Sequence, residues 1–502
     1  MARYKQTEAG NGQGLFLSVN LREQLLPGTF EYMLNDLVGK EIDISVYDGN
    51  YKNDATGSKA IPPAALIKLI IYGYIKGIIS SRRLMNLNNE NIIAKALTGD
   101  MRIHWTTIAD FISANSEEFQ ETFVKVLAYC GELDLIEGEE FATDGRRMRS
   151  NASKDMSGTK EELEKKVEVY RRMAKKHVAK HLKQDAAGET GKEEKDRYKK
   201  RQEYLKRQVE KISGFLKTME KKEGSRGREI KSNVTDNESA MISGASGCLQ
   251  GYIGIAVADK KNQIIIAAEA VGTANEGKHL PGIIDGALNN MKEANVKTPE
   301  GKRPVFMCDA NYFSEENFRA CEERGVEAII PDDQYGKERK DSCERRFEAA
   351  DFEYREEEDY YECPCGKKLE FKRSRVFAGK EGKSYMANAK DCRECPQVGR
   401  CVKSKKDKKD LQGRQLFITK SNEPGSLCSE MRKKLSTEEY QNQYAYRIQI
   451  IEPVFANITY CKGMSRFTLR GKKKVNGQWT LYCIAHNLGK CLEAYNKKRE
   501  AA

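Results

Sequence analysis

The chain has 502 residues, about three times what one domain usually takes, so two or more folding units are expected. Hydrophobic residues make up 39% and charged residues 32%, which excludes a membrane-embedded, collagen-like or disordered chain. Lys and Arg total 87 against 75 Asp and Glu, a net charge of +12, and that balance favours a polyanionic partner such as nucleic acid.

Met1 to Gly14 is polar and carries no export signal. The longest apolar run, Ala64 to Ile79, contains Lys68 and Lys76 and is shorter than the ~20 residues of a membrane span. A cytoplasmic protein with reduced thiols and no membrane association is expected. Residues 1–138 read as a helical, DNA-binding domain. Pro62 and Pro63 suit a first helical turn before Ala64 to Ile79, and shorter helices follow at Ser81 to Leu87, Asn91 to Leu97, Thr106 to Ala114 and Glu117 to Tyr129. Arg82, Arg83, Arg102 and His104 among them fit a helix-turn-helix reader of DNA as well as a plain helical bundle.

Residues 139–159 and 230–334 alternate strand-like and helix-like pieces. Apolar runs at Phe141 to Thr143, Tyr252 to Val257, Ile264 to Ala268, Val305 to Cys308 and Ala328 to Ile330 predict strands, the second and third joined by a turn at Ala258 to Asn262. Helical patterns at Leu280 to Ala294 and Glu315 to Arg324 supply the crossovers of a mixed α/β sheet. An insertion at 160–229 interrupts this core. Lys160 to Lys231 holds 24 Lys and Arg against 14 Asp and Glu, and its apolar spacing predicts a basic helical hairpin broken near Gly188 to Gly191, with one face suited to phosphates. Residues 335–435 form a second, polar and Cys-rich insertion. The chain returns to the core over 436–502, where Ser436-Thr437-Glu438-Glu439 has the capping-box pattern for a helix to about Cys461, and a last amphipathic helix spans Thr480 to Tyr495.

Asp144 and Asp309 each follow an apolar strand, and Glu452 interrupts the apolar run Ile448 to Phe455. An Asp at a strand end is often only a turn former. Two of them with an acid inside an apolar helix match the oxygen ligands that a divalent cation prefers, with positions left open for phosphate and water.

At these residues the chain resembles the bacterial insertion-sequence transposases of the DDE class. The resemblance is carried by Phe141-Ala-Thr-Asp144-Gly with Asn151-Ala-Ser, Thr235-Asp236-Asn-Glu-Ser, Asp309-Ala-Asn-Tyr312, Arg447-Ile-Gln-Ile-Ile-Glu452-Pro-Val-Phe, and the tail from Arg466 through Gly471 and Val475 to Leu488. With Leu97-Thr-Gly-Asp100 it runs over nearly the whole chain. It implies an RNase H-like catalytic core in which Asp144, Asp309 and Glu452 hold two Mg2+ (or Mn2+) ions. The implied reaction is cleavage and strand transfer at the ends of the chain's own insertion sequence. It also implies double-stranded DNA as partner, a homodimer that joins two ends, and a nucleoid-associated location. Two departures stand out. Thr459 occupies the position where relatives commonly have Lys, although Lys462 follows one turn later, and Pro453 should kink the helix that carries Glu452. Tyr446, Arg447, Lys462, Arg466, Arg470, Lys472, Lys473 and Lys474 surround the third acid and are the expected DNA contacts. The alternative is a catalytically silent, transposase-derived DNA-binding protein.

Cys363-Pro-Cys365-Gly, Cys392-Arg-Glu-Cys395-Pro and Cys401 place five thiols in 335–435. Two close pairs in a polar insertion predict a structural Zn2+ site, against free thiols in a loop. The remaining Cys fall mostly in apolar runs and read as small core residues.

Overall fold

In the computed structural model the described residues are 20–501 without 52–58, 187–191, 225–226, 245–246, 334, 336–345, 348, 378–379, 402–410 and 420–421. Met1 to Gly14 and the expected break at Gly188 to Gly191 lie outside the described residues.

The N-terminal part is helical: α1 (Phe30–Leu37), α2 (Pro63–Ile75), α3 (Ser81–Glu90), α4 (Ile92–Thr98), α5 (Trp105–Ala114) and α6 (Ser116–Glu132). Pro63 opens α2, and that helix stops at Ile75 rather than Ile79, with Gly77 just beyond it in the left-handed region at φ 74°. A glycine at φ 67°, Gly99, likewise ends α4.

The sheet begins with β1 (Glu140–Arg149). The short β2 (Ser157–Gly158), β3 (Lys222–Glu223), β4 (Glu229–Ile230) and β5 (Ser232–Asn233) pair as β2–β5 and β3–β4 around the base of the basic insertion. The insertion itself is two packed helices, α7 (Lys160–Ala186) and α8 (Lys192–Thr218), held by Leu163, Val167 and Ile212. Then come β6 (Ala240–Gly244), β7 (Gly247–Asp259) and β8 (Ile265–Val271), followed by α9 (Leu280–Glu293), β9 (Val305–Met307), α10 (Glu315–Glu323) and β10 (Glu327–Ile329). β7 runs antiparallel to β1 and carries β6 and β8 in succession on its far edge. On the other side of β1, β9 and β10 are parallel to it, each reached by a helical crossover. This mixed α/β order of strands is compatible with an RNase H-like fold.

Residues 346–419 contain a second sheet that the sequence did not reveal, an antiparallel meander of β11 (Glu353–Arg355), β12 (Tyr360–Glu362), β13 (Lys368–Phe377), β14 (Lys380–Ala387) and β15 (Gln415–Thr419). Two short helices, α11 (Ala389–Glu394) and α12 (Val398–Cys401), sit between its last two strands. The chain returns through α13 (Leu427–Leu435), α14 (Glu438–Ala456) and α15 (Lys472–Ala501). The capping-box bonds are not made: Thr437 donates its hydroxyl to the Lys434 carbonyl instead. Pro453 lies inside α14 and a π-helical turn follows at Asn457–Cys461. Proline leaves the carbonyl four residues earlier without its helical donor, and the Gln263 side-chain amide takes that place by donating to the Gln449 carbonyl at 2.9 Å.

α15 starts eight residues before the expected Thr480, behind the charged Lys472-Lys473-Lys474. Its middle, 477–488, is buried on every side, between α1, α2, α5 and α6 on one flank and β8 on the other. The N-terminal helices therefore share one continuous core with the central sheet. The polar groups on α15 cover the outer edge of β8. Asn487 donates to the Ile265 carbonyl and accepts its N–H, both at 2.9 Å, and Asn476 does the same for Ala270 at 2.9 and 2.7 Å. Eleven helical residues and five strand residues both span about 16.5 Å, so the two amides fall in register with the strand edge. Trp479 adds a bond from its indole N–H to the Ile255 carbonyl at 2.9 Å. No helix among the described residues is long and apolar enough to cross a membrane.

Replacing Asn487 by Ala leaves the Ile265 N–H and carbonyl buried without partners. The expected cost is about 1–3 kcal/mol for each group, read as a lower denaturant midpoint for the full chain.

Candidate metal centre

β1 is longer than its apolar run. Its pairing with β9 ends at Ala142 and Met307, while its pairing with β7 continues through Asp144 opposite Ala256 as far as Arg149. Past Ala142 the strand no longer has β9 beside it, and Asp144 stands at that step. Asp309 follows β9 directly. It caps the 3-10 turn Ala310–Tyr312, accepting the Asn311 backbone N–H at 2.8 Å and the Asn311 side-chain amide at 3.0 Å. The third acid in the group is Glu276, on the loop between β8 and α9. One oxygen from each of Asp144, Glu276 and Asp309 lies within 4.8 Å of the other two.

Glycine makes this approach fit. A Cβ on Gly145 would fall 1.6 Å from Glu276 Oε2, and one on Gly277 would fall 2.4 Å from the Asn311 carbonyl. Asn311 also links the loops, its amide donating to Glu276 Oε1 at 3.2 Å. Glu276 Oε2 is buried and has no hydrogen-bond partner among the described residues.

Carboxylates this close repel one another by about 3–4 kcal/mol per pair in a protein environment. Burial first, then Asp309 and Asp144, pushes the Glu276 carboxyl up to about 7. Burial and Asp144 also raise Asp309, against the Asn311 N–H and Arg447. Among the described residues Arg447 is the one cation in direct contact with the group: its Nη2 meets Asp144 Oδ2 at 2.8 Å, and the side chain is only 8% exposed. Burial works against its charge, and Asp144, Tyr444 and Asp309 together outweigh that and hold the guanidinium protonated. Arg447 in contact, with Arg147 acting on Glu276 from farther away, does not match three carboxylates, so the ionised group is electronegative. An orphaned buried oxygen and an all-oxygen donor set therefore fit a hard divalent cation.

The structure brings together Asp144 and Asp309 of the expected acids, and adds Glu276. Glu452 is exposed on α14, five residues beyond Arg447, and is not in the group. Burial of Glu276 gave no pattern in the sequence, because it sits in the polar stretch Thr273-Ala-Asn-Glu-Gly277. Its one trace is the glycine that follows Asp144.

Of the expected DNA contacts, Arg447 differs most: it is buried on Asp144 rather than presented to solvent, because the acid cluster attracts the nearest guanidinium. Lys462 is half-buried and bonded to Asn457. Tyr446 is exposed, with Lys260 Nζ 4.9 Å from its ring centre. Arg470 donates to the Asn151 carbonyl at 2.6 Å, Lys472 pairs with Glu269 at 2.9 Å and Lys473 with Glu117 at 2.6 Å, while Arg466 and Lys474 are exposed. The sequence reading also passed over Arg146, Arg147 and Arg149, which continue β1 beyond Asp144. Arg149 forms a β-bridge with Arg466, so the basic residues of both segments lie side by side. The five thiols of 363–401 lie beside the second sheet, on the β12–β13 turn and on α11 and α12. Elsewhere Cys130, Cys308, Cys321, Cys428, Cys483 and Cys491 are buried as expected, but Cys248 and Cys461 are exposed.

Residues 362–492 match the family model described as "Transposase DDE domain", and residues 19–114 match "Transposase domain (DUF772)". Glu452 lies inside the first match, whereas Asp144, Glu276 and Asp309 lie between the two. No curated protein and no solved structure matches the chain.

Three outcomes follow, the first for metal-free protein. Glu276 keeps its proton up to about pH 7 when folded but loses it near 4.5 when unfolded, so the native state binds more protons in that window and stability falls as pH rises through it. Glu276→Gln should flatten the fall in melting temperature between those pH values and leave the variant the more stable of the two at pH 8. Since a bound cation must displace that proton, calorimetric Mn2+ affinity of the wild type should drop about tenfold per pH unit below 7. Gly145→Ala, which pushes Glu276 out of the group, should weaken Mn2+ binding at every pH.

Proposed function

Family matches at both ends of the chain support an insertion-sequence transposase of the DDE class, and on that premise we propose that it cuts DNA at the ends of its own element and joins them to target DNA. The observation that carries this reading is the convergence of Asp144, Glu276 and Asp309 at the point where β9 stops and β1 continues.

In this reading the three acids hold Mg2+ or Mn2+. The bound ions supply activation of a water or 3′-hydroxyl and stabilisation of the leaving oxygen. Asn311 fixes the rotamers of Asp309 and Glu276, and Arg447 aligns Asp144 while keeping the group from carrying its full negative charge. Glu452 is assigned, on the family resemblance, to complete the site from α14 when DNA is bound. Phosphates of double-stranded DNA are gripped by Arg146, Arg149, Arg466 and Arg470, with Lys462, Lys472, Lys473, Lys474 and Tyr446 farther along the same segment. The basic pair α7–α8 extends the contact, the N-terminal helices recognise the element end, and two copies of the chain bring two ends together.

The test uses the DNA flanking the coding region, with purified wild type, Asp309→Ala, Glu276→Gln and Glu452→Gln in Mg2+ or Mn2+, and maps strand breaks to the nucleotide. Wild type should break the inverted ends, and each variant should lose about 100-fold or more of that activity with DNA affinity retained. Binding without breaks from any of the four proteins would establish the silent DNA-binding reading instead. The Arg447 guanidinium seated on Asp144 is the feature that would then explain it. Separately, Arg149→Ala with Arg466→Ala should weaken DNA binding and flatten its dependence on salt.

A further inference from the structure

Among the described residues the second sheet has a core of seven buried apolar side chains, from Phe352 to Ile418. Its longest strand, β13, is exposed at most positions, so the unit buries too little apolar surface to order itself firmly. At one end, five thiols line a single cavity: Cys363, Cys365, Cys392, Cys395 and Cys401. They come from three separate places. Cys363 and Cys365 stand on the tight turn between β12 and β13, where Gly366 adopts φ 72° and donates its N–H to the Cys363 carbonyl at 2.8 Å. Cys392 lies in α11 and Cys395 caps its end, and Cys401 closes α12.

Two features of this cluster are those of a metal site rather than of core packing. Backbone N–H groups point at sulfur: Lys367 donates to Cys363 Sγ and Arg414 to Cys392 Sγ, both at 3.3 Å, an arrangement that stabilises a thiolate. The sulfurs of Cys365 and Cys395, from the turn and from α11, are 3.6 Å apart. Four sulfurs placed 2.3 Å from a tetrahedral zinc are separated by about 3.8 Å.

We propose that this cluster is a structural zinc site in which Cys392 and Cys395, with two of Cys363, Cys365 and Cys401, hold one ion that staples α11 to the β12–β13 turn. The ion supplies the folding energy that the small core lacks. The site is separate from the acid group and does not depend on the proposed DNA chemistry.

The experiment measures zinc per chain by elemental mass spectrometry on full-length protein purified under reducing conditions. It is paired with cobalt exchange, which reports sulfur ligation as a thiolate-to-cobalt charge-transfer band. The expected result is one zinc per chain, a strong band, and retention of zinc in Asp309→Ala. Among single Cys→Ser variants, Cys392→Ser and Cys395→Ser should lose zinc, as should two of the other three. Chelation should increase hydrogen exchange in β12–β14 and leave β7 unchanged, a readout that holds even if a Ser variant fails to fold. Folded, reduced wild-type protein with no bound zinc and no cobalt band would overturn the proposal. So would zinc retained by both Cys392→Ser and Cys395→Ser.

Discussion

The fold depends on how one edge strand is covered. β8 pairs with β7 on one side only, and an uncovered edge inside an apolar core would leave N–H and carbonyl groups without partners. α15 solves this with two asparagines three helical turns apart, each matched to both backbone groups of one β8 residue. The same helix must also be apolar around its circumference, because α2, α5 and α6 press on its other flank. The N-terminal helices are thus oriented relative to the central sheet through a helix near the opposite end of the sequence.

The acid group rests on that frame through strand lengths. β1 continues past the end of β9, paired with β7 and bridged at Arg149 to Arg466, and the resulting step places Asp144 beside Asp309. Glu276 enters over Gly145, where a side chain of any size would block it. Repulsion among the three is offset in part by Arg447. The consequence is a site whose charge is poorly balanced without a cation and whose geometry is set by backbone packing rather than by flexible side chains.

Much of this architecture was legible in the sequence. The five apolar runs of the central sheet, the crossover helices between them and the basic helical pair all follow from periodicity, and Asp144 and Asp309 stand where those runs end. The rest lacked the signals that periodicity needs. Glu276 lies in a short polar loop, and only its three-dimensional neighbours bury it. β13 carries Lys368, Glu370, Lys372, Arg373 and Arg375 and never shows a two-residue alternation strong enough to stand out. The start of α15 is masked by three consecutive lysines. Arg447 looked like a phosphate ligand because its charge is visible in sequence, whereas the carboxylate that draws it inward is some three hundred positions earlier.

Pro453 gives α14 a fixed index point. An ordinary helix is nearly featureless along its axis, so packing alone tolerates small slides. Here the single carbonyl freed by the proline, that of Gln449, is met by Gln263 on the β7–β8 turn, and only one axial setting satisfies it. A slip of one residue would shift the rod by about 1.5 Å and turn it by about 100°, enough to take Arg447 off Asp144. The imino acid that looks like a defect in the helix thus works as its locating pin, and the side chain at 447 is positioned from the sheet.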